Sequence, residues 1–164
     1  MQSMSTGNHL QSDTGIAGDL YAVVVFLNKH CNSDLFAAVG ALELTLTQIK
    51  LLHHLEVAPE PLTLKEAAEL VLVSLPAASR TVDDLVRRGF VERSEDAVDR
   101  RMKRLRLTEA GSSAVRRLNA ARMNGLEQFI HSLNESERQA LSHALSVLLE
   151  RDEVAACRPD GPSR

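Results

Sequence analysis

Aromatic side chains are nearly missing from this chain: its 164 residues include no Trp, one Tyr and four Phe. Leu, Val and Ala must fill the core instead, a composition that points to helices. Cysteine is scarce as well. Cys31 and Cys157 stand far apart without CxxC spacing, which leaves no disulfide framework and no zinc knuckle. No run of eighteen apolar residues occurs, and the opening MQSMSTGNHLQSDTG has neither the basic start nor the apolar stretch of a secretory signal. A cytoplasmic protein without a membrane partner is expected. A Gly-rich phosphate loop, a nucleophile elbow and a convincing Ser/His/Asp or Cys/His set are all lacking, so no enzyme and no cofactor are expected. His53, His54, Glu56, His131 and His143 show no i, i+4 metal pairing, and no metal site is expected from them.

What is present is the make-up of one ordinary globular domain, 44% hydrophobic and 25% charged, long enough to bury a core without staples. The net charge of −3 hides an asymmetry. Residues 74–106 hold nine Lys/Arg against six Asp/Glu, a local +3, while the remainder carries −6. Basic charge concentrated in one fifth of an acidic chain is the footprint of a single surface that meets phosphate.

The pattern along the chain divides it into five parts. Residues 1–17 are polar without periodicity and are expected to be a disordered tail, as is 155–164 with its Pro and Gly. Within 18–43, Leu20, Val24, Leu27, Cys31, Leu35 and Ala38 fall on one stripe, which predicts a single long amphipathic helix from Asp19 to about Val39. The segment 44–107 opens with capping boxes at Thr45/Gln48 and Thr63/Glu66, and Ser74 is placed to cap a third helix that stops at Gly89. Three short helices in succession are the body of a helix-turn-helix unit. After Gly89 the period changes to alternation, with Leu105 and Leu107 inward and Arg104 and Arg106 outward, so a hairpin with a charged tip is expected. In 108–154, Thr108 caps a long helix to about His131, and an Asn134/Glu137 box opens a last one with Leu141, Leu145 and Leu148 on one face.

The third short helix would lie in the major groove, its N-terminal residues against base edges. Arg80 is the side chain able to grip guanine at two points; Ser74, Ser79 and Thr81 could bond to bases or phosphate, and Ala77 or Ala78 could touch a thymine methyl. In Asp99-Arg100-Arg101, an arginine at the hairpin tip could reach the narrow minor groove, and a nearby carboxylate could hold its guanidinium. Arg87, Arg88, Arg93, Lys103 and Arg104 read either as phosphate contacts or as solvated surface.

At this point the residues resemble a family. Leu44-Thr45-x-x-Gln48, Ser74 to Leu85, Arg88-Gly89-Phe90-Val91, Asp99-Arg100-Arg101 and Leu107-Thr108-x-x-Gly111 stand in the order and spacing of the multiple-antibiotic-resistance-regulator (MarR) family, over roughly residues 18–153. The resemblance implies a mainly α fold with a small β-hairpin, a winged helix-turn-helix core with N- and C-terminal dimerisation helices. It implies a prokaryotic homodimeric transcriptional regulator, commonly a repressor, on a pseudo-palindromic double-stranded DNA operator. It assigns the minor-groove arginine to Arg101 and its carboxylate to Asp99, and it brings a small aromatic or anionic effector in a crevice between the dimer helices and the DNA-binding lobe. Other readings keep the fold: a redox-responsive regulator using Cys31, although its place on the apolar stripe suits an inert buried thiol, a metal-responsive one, or a protein-interaction module without DNA. One departure stands out. The turn before the third helix commonly carries Gly, whereas here it reads Val71-Leu72-Val73-Ser74, and a left-handed Leu72 would be strained.

Overall fold

The computed structural model describes residues 12–96 and 103–158. The helices are α1 (Asp13–His30), α2 (Ser33–Ala41), α3 (Leu46–Val57), α4 (Leu64–Val71), α5 (Leu75–Arg87), α6 (Glu109–Ser132), α7 (Glu135–Leu148) and the single turn α8 (Asp152–Ala155). Strands β1 (Leu62–Thr63), β2 (Val91–Glu95) and β3 (Lys103–Leu107) form one antiparallel sheet in the order β1-β3-β2. This is the expected winged helix-turn-helix between flanking helices. Among the described residues no single helix is long and apolar enough to cross a membrane.

The capping chemistry lands where the sequence put it. In α3 the Thr45 hydroxyl accepts from the Gln48 N–H while Gln48 Oε1 accepts from the Thr45 N–H at 2.8 Å. Thr63 and Glu66 do the same for α4, and Asn134 and Glu137 for α7. Each box satisfies two of the donors that a helix start leaves bare. Ser74 caps α5, and Gly89 at φ 77° ends it, its left-handed backbone letting the Phe90 N–H return to the Leu85 carbonyl. Thr108 has two tasks: its hydroxyl accepts from the Gly111 N–H at 3.0 Å and donates to the Gly89 carbonyl at 2.6 Å. A Cβ on Gly111 would stand 2.1 Å from the Phe90 carbonyl oxygen, so only glycine lets α6 rest on the strand entry.

Three expectations need correction. The stripe from Leu20 to Ala38 is carried by two helices, because the chain breaks at Cys31 and Asn32. α6 passes so close to the break that a Cβ on Gly125 would lie 1.7 Å from the Cys31 carbonyl oxygen. Second, α1 begins at Asp13, capped by Ser12, inside the stretch 1–17 expected to be disordered, and α8 and its cap extend into 155–164. The rest of those two tails, 1–11 and 159–164, lies outside the described residues. Third, β1 was not anticipated. Two residues give no periodicity to read, yet Leu62 pairs with Leu105 and Thr63 with Arg104, closing the sheet against α4.

The core sits between α3, α4, α5, the sheet and the first half of α6. Leu51, Leu52, Val82, Leu85, Leu105, Val115 and Leu118 are essentially sealed from solvent. At about 25 cal/mol per Å² of apolar surface removed from water, each such leucine contributes on the order of 2 kcal/mol. α1 and α7, by contrast, contain no buried residue.

Candidate nucleic-acid interface

The orientation of α5 follows from which of its residues are sealed. Ala78, Val82 and Leu85 form its buried face, with Ala78 only 1% exposed. The expectation that Ala78 could touch a thymine methyl is therefore overturned: its methyl group is part of the core. The spacing 78-82-85 was a readable signal for this. Arg80 lies two residues on, about 200° around the helix at roughly 100° per residue, and is exposed. Ser74 is exposed, its hydroxyl turned back on the Ala77 N–H. Ala77 and Ser79 are half-buried, and Ser79 donates to Asp83 at 3.4 Å. Thr81 is half-buried and donates to the Ala77 carbonyl at 3.0 Å, which occupies its hydroxyl proton within the helix.

The basic residues around α5 divide sharply by what they already hold. Arg93 pairs with Asp83 at 2.7 Å, Lys103 with Glu95 at 2.9 Å, and Arg87 with Asp84. Arg104 joins the wing to the lobe: it pairs with Asp96, donates to the Pro61 carbonyl at 3.2 Å and lies 3.9 Å from Glu66. These four expected phosphate contacts are all engaged within the protein, and Arg104 is half-buried as well. Of the basic residues described between 74 and 106, only Arg80 and Arg106 are exposed with no ion pair among the described residues. Asp99, Arg100 and Arg101, expected at the wing tip, lie outside the described residues.

Two residues named in the sequence reading have an anchoring role that it did not give them. Gln48 serves the α3 cap and, from a buried position, donates through Nε2 to Asp84 at 2.6 Å, tying α3 to α5. Arg87, then Gln48 and Arg88, hold the Asp84 carboxyl below the usual carboxylate range. Arg88 reaches back from the end of α5 to the carbonyls of Leu42 and Glu43 and covers the Phe90 ring at 5.0 Å. The recognition helix is thus fixed at its C-terminal half to the joint between α2 and α3. Composition gives no signal for such links, because their partners lie 36 to 46 positions away.

The turn into α5 is built as the sequence made costly. Leu72 ends α4 at φ 60°, ψ 47°, in the left-handed region, and the Val73 N–H returns to the Ala68 carbonyl. Its side chain is 82% exposed. A non-glycine residue there costs roughly 1–2 kcal/mol.

The flanking helices present the opposite picture. On α1, Ile16, Leu20, Tyr21, Val23, Val24 and Phe26 are exposed, and on α7 so are Leu145, Val147 and Leu148. A hollow of about 510 Å³ between α1, α2 and α6 is walled by Val24, Leu27, Leu35, Phe36 and Leu126, with Arg122 at its edge. Arg122 also acts on His53, whose imidazole is held below its ordinary value by burial first and by Arg122 second. Cys31 is buried at the helix break, and Cys157 is exposed. Among the described residues no three His, Cys, Asp or Glu side chains come together to hold a metal ion.

Comparison with known proteins agrees with this geometry. A profile of the MarR family matches residues 42–102. The chain is similar in structure to the transcriptional regulator Tm0710 of Thermotoga maritima, with a TM-score of 0.72 at 19% identity, covering 86% of this chain and 98% of that one. It is similar to wild-type MarR of E. coli, with a TM-score of 0.60 at 26% identity, covering 79% and 96%. A mutant of S. aureus MepR, seen bound to an oligodeoxyribonucleotide, matches with a TM-score of 0.65 at 20% identity, covering 82% and 96%.

Proposed function

From the match of residues 42–102 to the MarR family, we propose that this chain is a MarR-type sequence-specific DNA-binding regulator, acting as a homodimeric repressor. The observation that carries this is Arg80: an exposed guanidinium with no ion pair among the described residues, on the side of α5 away from a sealed core. That is the position from which a side chain meets base edges in the major groove. Ser74, Ala77 and Ser79 line the same end of the helix. Arg87 at the far end of α5 and Arg93, Lys103, Arg104 and Arg106 on the strands are the proposed phosphate contacts, all but Arg106 able to reach phosphate only by sharing or leaving a carboxylate. Asp99, Arg100 and Arg101 remain the proposed wing contacts in the minor groove. The DNA-bound relative MepR supports the same use of the fold.

The exposed apolar side chains of α1 and α7 are the proposed dimer surface. A two-fold pair would set the recognition helices about one DNA turn, roughly 34–36 Å, apart on a pseudo-palindrome. A small aromatic or anionic effector fits the hollow beside Arg122, which joins α1 to the lobe through α2 and α6.

The test is a duplex recovered by selection from random DNA, titrated with protein at several salt concentrations. Affinity should fall steeply with salt as counterions are released. Arg80→Ala should weaken selective binding by about ten-fold or more, in line with roughly 1–3 kcal/mol for a bidentate base contact. Equal affinity for the selected and a random duplex would overturn the proposal.

A further inference from the structure

The start of α5 carries side chains of the wrong kind for solvent. Leu72 is 82% exposed and Leu75 is 50% exposed, and with Ala68 and Val73 they wall a shallow apolar hollow of about 540 Å³ between α4 and α5. Lys65 and Glu69 stand at its rim. Leu72 holds this place in a left-handed conformation that Gly or Asn would adopt at less cost. Polar readers are few at this end: Ser74 is spent on the cap, and Ser79 and Thr81 are hydrogen-bonded within α5.

In a major groove the apolar group on offer is the 5-methyl of thymine, which projects at the groove edge. We propose that Leu75, backed by Leu72, reads a thymine in each half-site by packing on its methyl group, supplying selectivity in addition to the Arg80 contact. The inference rests on the DNA-binding reading above. It transfers the methyl contact from the buried Ala78 to the exposed leucines one turn earlier. The occupant follows from position: Leu75 follows the Ser74 cap at the start of α5, the end of the helix proposed above to enter the major groove, where duplex DNA offers methyl groups.

Uracil substitution tests this directly, because it removes the methyl group and keeps every base-pairing and groove hydrogen bond. The selected duplex is prepared with deoxyuridine replacing thymidine one position at a time, and binding is measured for wild type, Leu75→Ala and Leu72→Asn, each checked by thermal melting. Burying one methyl group corresponds to about a four-fold change in affinity. Wild type should lose about four-fold at one symmetry-related pair of thymines and about fifteen-fold with both replaced. Leu75→Ala should bind the thymine and uracil duplexes equally well, and Leu72→Asn should lose most of the difference while its lobe remains folded. If no uracil position weakens wild type, or if Leu75→Ala keeps the full uracil effect, the methyl reading is wrong although selective binding stands. If wild type does not distinguish the selected duplex from a random one, both readings fall together.

Discussion

Helix α6 runs through two regions that treat apolar side chains in opposite ways. Its first half packs into the lobe, where Leu51 and Leu85 are fully sealed and Gly111 brings the backbone onto Phe90. Its second half runs past Cys31, towards α1 and α7, whose apolar residues face outward, Tyr21 at 70% exposure. The lobe therefore closes on its own, whereas the flanking helices leave a row of large apolar side chains in solvent. On the proposed function, reading DNA and pairing subunits fall to separate apolar sets, with Arg88, Gln48 and the α2–α3 joint between them.

The largest expected effect breaks this comparison if it is wrong. Leu51→Ala should cost about 2–5 kcal/mol in urea unfolding, because it opens a cavity in a sealed core. That loss should not depend on protein concentration. Leu20→Ala, on the exposed face of α1, should act the other way: dimer dissociation measured by sedimentation should become easier, and the melting temperature should fall most in dilute samples. A Leu20→Ala protein that assembles and melts as wild type at all concentrations would show that α1 is not completed by a second copy.

The same contrast explains what was legible in the sequence. Caps at Thr45, Thr63, Ser74, Thr108 and Asn134 were readable because a cap is a contract among four neighbouring residues. The β2–β3 pairing was readable from alternation, and its register brings Arg93 opposite Leu105. The break at Cys31 was not, since the apolar stripe runs unbroken across it and the close approach of α6 at Gly125 involves a residue ninety-four positions away in the chain. The site was legible in part. Arg80 could be placed from its helix position alone, but the engagement of Arg93 by Asp83 and of Arg104 by Asp96 depends on how strand and helix face each other.

A middle-sized effect sharpens the comparison by placing one motif in both regions. Thr63→Ala should destabilise the lobe by about 1 kcal/mol, independent of concentration, while Asn134→Ala should fray α7 and show chiefly as weaker dimerisation. The α4 cap adds a pH dependence. The Thr63 N–H, then its hydroxyl, lower the Glu66 carboxyl below its ordinary range, so the folded state favours the ionised form. The stabilisation from Glu66 is accordingly complete above its unfolded value of about 4.3 and is lost as pH falls through the lower folded value. Melting temperatures from pH 6 to about pH 3 should fall less for Glu66→Gln than for wild type; parallel curves would remove Glu66 from the acid sensitivity of the lobe.

The smallest effect has the opposite sign. Leu72→Gly relieves a left-handed leucine whose side chain is almost wholly in solvent. Little burial is given up, and the gain is partly offset by the greater chain entropy of glycine when unfolded, so unfolding in urea should show a net stabilisation of about 0.5–1 kcal/mol. Arg80 and the caps are untouched, so salt-dependent attraction to DNA should persist. Discrimination between thymine and uracil duplexes should nevertheless shrink, since the wall behind Leu75 has gone. A variant that gains stability and loses selectivity would identify Leu72 as held in strain for contact with DNA; one that loses stability would mean that the leucine supports the turn itself.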